Sequence, residues 1–320
     1  MNRRTRALTA LGRRVPRPDP PSEAYLRRAR ADLPRPLARL LLGPVDRGVR
    51  IVDRVLATQP YAVPVRVYRP RRAAGLLPLV VNLHGGGFVL DTLTSADWFC
   101  GQLAARADAV VVSVDYRLAP EHPAPVPFED AVGAVRCLLD DADRTATSYG
   151  ADARHAGVVG ESAGGNLAAL VALELRDRLA AQALVYPATD MTMTAASVLE
   201  LGEAPVLPKS AIDWYGRQYL PQGGPTSIGF DDPRVSPLFA PDHRGLPPTL
   251  VVVAGQDPLR DDGLRYAAVL EDAGVEVRTV LYPGALHGFM AIPRFEDAAA
   301  PALDEVVAHL RGHLTSHPQG

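Results

Sequence analysis

The hydrophobic pattern along the chain changes character near residue 77. Before it, Ala62 to Tyr68 alternates, with Val63, Val65 and Val67 on one side, the period of a strand with one face exposed. Val49 to Ala57 is a second strand-like run. From Leu77 onward the apolar runs are nearly continuous: Pro78 to Leu83, Ala109 to Val114, Ala156 to Val159, Ala183 to Tyr186, Thr249 to Ala254 and Val275 to Leu281. Such runs suit strands covered on both faces. Helical stretches fall between them, at Asp97 to Arg106, Phe128 to Ala142, Gly165 to Leu179, Leu264 to Ala273 and Pro301 to Leu314. This alternation predicts an α/β architecture: eight strands, mostly parallel, joined by right-handed crossovers, with helices on both faces of the sheet.

Two regions break the alternation. Residues 1–45 are rich in Arg and Pro and contain one amphipathic stretch, Ser22 to Leu42, whose helical turns are interrupted at Pro34 and Pro36. Residues 189–246 carry many prolines and glycines, a helical piece near Ser210 to Tyr219 and no core-strand signal. An insertion of that length in a compact domain is usually functional. The division expected is an N-terminal cap segment (1–45), a first part of the core (46–188), a cap insertion (189–246) and a second part of the core (247–320).

Composition narrows the function by exclusion. Hydrophobic residues make up 47% of the 320 residues and charged ones 22%, with a net charge of −2, normal for a globular protein and without the basic excess that nucleic acid or an anionic membrane attracts. No apolar run reaches bilayer length. The stretch Ala7 to Gly12, among N-terminal arginines Arg3, Arg4, Arg6, Arg13 and Arg14, is too short for a signal-peptide core, so a cytoplasmic location is expected. Cys100 and Cys137 read as two reduced thiols in helices, with no disulfide framework or metal cluster.

The chemistry lies at the carboxyl ends of the predicted strands, where open α/β sheets place their sites. Gly160-Glu161-Ser162-Ala163-Gly164 follows a strand and opens a helix. That setting holds a hydroxyl out in front of the sheet with small neighbours. His84-Gly85-Gly86-Gly87 follows the strand ending at Leu83. With 27 glycines and eight histidines in 320 residues, this tetrapeptide is expected by chance only on the order of 0.005 times, against roughly 0.07 for Gly-x-Ser-x-Gly, so it is the more informative of the two. Its bare backbone can turn N–H groups toward a substrate oxygen, with the Ala163 N–H as partner donor. Asp257 and His287 each come just past a strand, in positions to orient a base and to be one. Asp261 and Asp262 compete with Asp257 but fall a turn into the next helix, where a capping or surface role is expected. Glu161 is expected to point away from substrate and anchor the elbow, and the polar run from Asp115 to Glu121 to brace the Gly-rich loop. Phe88, Trp98, Trp214 and Phe289 are candidates for an apolar substrate pocket, with Trp214 the best candidate for a contact from the cap.

Taken together, His84-Gly-Gly-Gly87, Tyr116-Arg-Leu-Ala-Pro-Glu-His122, Gly160-Glu-Ser-Ala-Gly164, Asp257-Pro-Leu-Arg-Asp261 and His287-Gly-Phe289 resemble the hormone-sensitive-lipase-like family of α/β-hydrolases, over about Tyr61 to His309. The resemblance implies a triad of Ser162, Asp257 and His287. It implies oxyanion donors at Gly86, Gly87 and Ala163, with Gly85 shaping the loop, and a helical cap. It also implies hydrolysis of short- to medium-chain carboxylic esters without metal or cofactor, and homodimers are common among such relatives. The motifs leave the scissile bond open. An amidase, formamidase or deacetylase of a specialised metabolite would use the same triad, and a non-catalytic ligand-binding homologue would retain the fold.

Overall fold

The structure, a computed structural model, describes residues 17–223 and 227–315; the N-terminal arginines from Arg3 to Arg14 lie outside them. Two short helices, α1 (Glu23–Ala29) and α2 (Arg35–Leu41), precede the sheet. Ser22 caps α1, its hydroxyl accepting from the Tyr25 N–H at 3.2 Å, and the chain re-enters a helix only after Pro34, as the proline spacing requires.

One eight-stranded sheet follows, from strands β1 (Val49–Leu56), β2 (Val63–Pro70), β3 (Leu77–Leu83), β4 (Val110–Val114), β5 (Ala151–Glu161), β6 (Ala181–Val185), β7 (Thr249–Gln256) and β8 (Val277–Leu286). Their spatial order is β1-β2-β4-β3-β5-β6-β7-β8. β2 runs antiparallel to both β1 and β4, and the other pairings are parallel. The antiparallel pair at one edge is where the sequence alternates, and the parallel centre is where it is continuously apolar, as burial on one or two faces demands.

The period-2 geometry of the strands divides the core into two layers. Leu79, Val81 and Leu83 of β3 and Val110, Val112 and Val114 of β4 pack on one face, against α4 (Val126–Asp140) and α6 (Ala163–Glu174). Val80, Val111 and Val159 point the other way, against α3 (Asp97–Ala107) and α10 (Ala299–Leu314). α6 is buried from Ala163 to Ala172, with Asn166 the one polar side chain in that stretch.

Three elements differ from the expected pattern. β8 is the far edge strand and is not covered on both faces: Arg278, Thr279 and Leu281 are exposed. α5 (Ala142–Tyr149) carries its own signals, an Asp141 cap accepting from the Arg144 N–H at 3.0 Å and a left-handed Gly150 at φ 68°. β5 begins at Ala151 rather than Ala156. Its register against β3 shifts between Pro78 and Leu79, and this irregularity carries Asp152, Arg154 and His155 outside the apolar repeat. The remaining helices are α7 (Ala196–Glu200) and α8 (Lys209–Tyr219) in the insertion and α9 (Arg260–Asp272) after β7.

Candidate active site

At the end of β5 the chain reverses into α6 within one residue. Ser162 stands at that corner with φ 55° and ψ −120°, a conformation sparsely populated by non-glycine residues and held only where the surroundings impose it. The surroundings are backbone hydrogen bonds: Ser162 N–H donates to Val185 O at 2.9 Å, and Ser162 O accepts from the Asn166 and Ala188 N–H groups at 3.1 and 3.3 Å. Glycine flanks the corner because nothing larger fits. A Cβ at Gly160 would overlap the Gly164 carbonyl, and one at Gly164 would overlap the Leu83 carbonyl.

The fold brings His287, from the loop after β8, to this hydroxyl. Ser162 Oγ lies 2.8 Å from His287 Nε2, and His287 Nδ1 lies 2.7 Å from Asp257 Oδ2. With the proton on Nδ1, the imidazole donates to the carboxylate and accepts from the serine. Asp257 has no exposed surface, and its other oxygen accepts the Leu259 N–H at 2.9 Å. Both oxygens of the buried carboxylate are thus engaged.

The Gly-rich loop lies directly alongside. A Cβ on Gly85 would sit 3.5 Å from Ser162 Cβ, and Gly85, Gly86, Gly87 and Ala163 line the same cavity as Ser162 and His287. The loop is held from behind by the strap after β4. The Tyr116 hydroxyl donates to the His84 carbonyl at 2.7 Å, the two rings stack at 4.4 Å, and the Ala119 N–H donates to Phe88 O at 2.9 Å. Arg117 anchors the strap to α4 through Asp130 at 2.7 and 2.8 Å.

Of the four apolar candidates, Phe88 lines the cavity, stacked 3.8 Å from Tyr219. Trp98, Trp214 and Phe289 do not. Trp98 sits at the start of α3, on the far face of the sheet, against Gly43. Trp214 is buried and donates its indole N–H to the Pro18 carbonyl at 2.8 Å, pinning the N-terminal segment to α8. One residue on, about 100° around the helix, Tyr215 is the side chain that reaches the cavity, over Gly87. Phe289 is fully buried against Tyr186 and Tyr282.

Three features lay beyond the sequence patterns. Glu161 does not point away: it forms part of the cavity wall while its carboxylate accepts the Tyr186 hydroxyl hydrogen. Tyr186, at the carboxyl end of β6, meets His287 edge-on at 5.0 Å; its place just past a strand end was the available signal. Asp262 is fully buried rather than at the surface. It accepts the Thr189 and Asp190 N–H groups at 3.0 and 3.1 Å, where the insertion begins. Among the described residues, no group of three His, Cys, Asp or Glu side chains could hold a metal ion, and no helix is long and apolar enough to cross a membrane.

A serine, an imidazole and a carboxylate in hydrogen-bonded sequence at the carboxyl ends of a mostly parallel sheet are an α/β-hydrolase arrangement, and similarity agrees. A family profile described as the alpha/beta hydrolase fold matches residues 80–291. The chain belongs to that family and is a hydrolase. It is 40% identical over 276 residues to the carboxylic ester hydrolase LipN of Mycobacterium tuberculosis, covering 83% of this chain and 71% of that protein. It is 36% identical over 285 residues to the ethyl acetate hydrolase of Pseudomonas putida, covering 86% of each. Among solved structures, the thermophilic carboxylesterase EstE1 from a metagenomic library superposes with a TM-score of 0.82 at 39% identity, covering 94% of this chain and all of that one.

Proposed function

We propose that the protein is a serine carboxylesterase acting on short- to medium-chain esters. Ser162 Oγ attacks the ester carbonyl carbon as His287 Nε2 takes its proton, and Asp257 stabilises the imidazolium. The oxyanion is received by the backbone N–H groups of Gly86, Gly87 and Ala163, with Gly85 shaping the loop. The tetrahedral intermediate collapses, the C–O bond to the alcohol breaks, and His287 returns the proton to the leaving alkoxide. Water then repeats the cycle on the acyl-enzyme: His287 takes a proton from it, the carboxylic acid leaves, and Ser162 recovers its hydrogen. The N-terminal segment and the 189–246 insertion act as the cap. Phe88 and Tyr215 supply apolar contacts to substrate.

The observation that carries this reading is the continuous relay from Ser162 through His287 to Asp257, at 2.8 and 2.7 Å, opening on an apolar cavity. The names of the relatives support the ester as substrate class. Ser162→Ala is expected to lower p-nitrophenyl butyrate turnover by about 10⁴-fold or more and to abolish labelling by a fluorophosphonate probe, with the circular dichroism spectrum retained. A folded variant turning over near the wild-type rate would remove the serine from the mechanism. Acetanilide in the same substrate panel decides between ester and amide bonds.

A further inference from the structure

Inside α8, Gly216 has no packing reason to be glycine. A Cβ built there meets no atom within 4 Å, and a glycine in a helix interior costs stability relative to alanine. It is also the only one of the helix's eleven residues without a side chain. Its neighbours suggest why. The cavity at Ser162, of about 170 Å³, is backed by a second cavity of about 230 Å³. The two share four lining residues: Met191, Met193, Ile212 and Gly216. Two of the four are methionines, unbranched and able to repack around a guest. Met193 holds φ 53°, a region that non-glycine residues seldom occupy. The wall common to the two cavities is therefore a helix face with a side chain missing, together with two adaptable side chains.

Volume decides what such a partition is for. An apolar cavity of roughly 150 Å³ takes one benzene, so the cavity at Ser162 houses a short ester and little more. A longer hydrocarbon arm needs further space. The second cavity offers it, with Phe230 in its wall and Asp213 and Arg217 also lining it.

We propose that Gly216 is a specificity-determining residue: its missing side chain, with Met193 in the same shared wall, forms a passage through which an extended linear arm of the ester threads from the cavity at Ser162 into the second one. The inference rests on the esterase reading and narrows its substrate class to medium-chain esters, those with one linear arm long enough to reach the second cavity.

The test is a ratio, the kcat/KM for p-nitrophenyl decanoate over that for p-nitrophenyl acetate, with decyl acetate beside ethyl acetate to examine the alcohol arm. Gly216→Leu plugs the passage and is expected to lower the ratio in one of the two series by about tenfold or more, the scale on which a few methylenes discriminate in an apolar pocket. Met193→Ala widens the passage and is expected to raise the ratio in the same series. Fluorophosphonate labelling checks that each variant retains a formed site. If Gly216→Leu fails to fold, the Met193→Ala ratio decides alone. Unchanged ratios in labelled variants, or a wild type that cleaves acetates and no longer arm in either series, overturn the passage while leaving the esterase reading intact. No cleavage of any ester by the wild type removes that reading itself.

Discussion

Glu161 shows how much chemistry one residue can hold beside Ser162, the proposed nucleophile. Its side chain is half-buried in the cavity wall and bonded to the Tyr186 hydroxyl, whose ring edge faces His287. Burial raises its carboxyl to about 7, helped by nearby Asp91 and opposed by the Tyr186 hydrogen bond and His287. The folded state therefore favours the protonated acid more than the unfolded chain does. That stability is fully present below the ordinary value near 4.5 and is lost as pH rises through about 7. Glu161→Gln keeps an oxygen for Tyr186 and removes the titration. Between pH 4.5 and 8 the wild-type melting temperature should therefore fall relative to the variant's, and a gap that stays constant across that range would sink the assignment. At this scale the sequence was legible where backbone geometry forces identity. Gly160, Gly164 and Gly86 announce themselves because a Cβ there overlaps a neighbouring carbonyl, and Gly87 because one there overlaps the Tyr215 ring. It was less legible for side chains at helix or strand ends. Trp214 and Tyr215 are adjacent and both aromatic, yet rotation about α8 sends one to Pro18 and the other over Gly87.

At the scale of elements, α9 does more than cover the sheet. Its Asp262 reaches the first residues of the insertion, accepting from the Thr189 and Asp190 N–H groups, and its backbone carbonyl accepts the Thr189 hydroxyl at 2.9 Å. Asp261 accepts the Ser197 N–H at 2.9 Å, and Arg265 donates to the buried Asp190 at 2.6 Å. Burial pushes the Asp262 carboxyl well above the usual carboxylate range, and either protonation state leaves an oxygen to accept. Asp262→Ala strands two buried N–H groups at about 1–3 kcal/mol each, a large share of the roughly 5–15 kcal/mol that holds a domain together. The urea midpoint should drop accordingly, while Asp262→Asn, whose amide oxygen still accepts, should recover most of the loss. Equal midpoints for the alanine variant and the wild type would show that these bonds do not hold the insertion. The regular elements were legible because periodicity is local: β3, β4 and β7 are apolar runs that need no partner to be recognised. Within the insertion the helix near Ser210 to Tyr219 was legible on the same ground, but its fastening was not, because that comes from contacts more than 60 residues away, and no local pattern encodes a bond between residue 189 and residue 262.

Across the whole molecule, the two ends of the sheet serve different ends. The carboxyl ends carry Ser162, His287 and the Gly-rich loop, and at the opposite end α10 is fastened to the sheet. There His309 lies within hydrogen-bond reach of two carbonyls, with Nε2 3.1 Å from Gln182 O and 3.2 Å from Pro248 O. Burial, with the neighbouring His313 ring 4.7 Å away, depresses its pKa to about 4. The native state therefore prefers the neutral ring. Its contribution to stability is present above the ordinary value near 6.5 and is lost as pH falls through about 4. Acid should consequently destabilise the protein from the end of the sheet opposite Ser162, by loosening α10. His309→Gln, whose amide can still donate to a carbonyl, removes that titration and leaves Ser162 and His287 untouched. Its melting temperature should decline less steeply than the wild type's between pH 6.5 and 4. The acid limb of ester hydrolysis, measured at a temperature where both proteins remain folded, should superpose on the wild-type limb. If the two melting profiles run parallel, His309 is not the acid-sensitive fastening. If the variant's activity limb shifts with its stability, the loss of rate in acid reports the loosening of α10 rather than chemistry at Ser162 and His287.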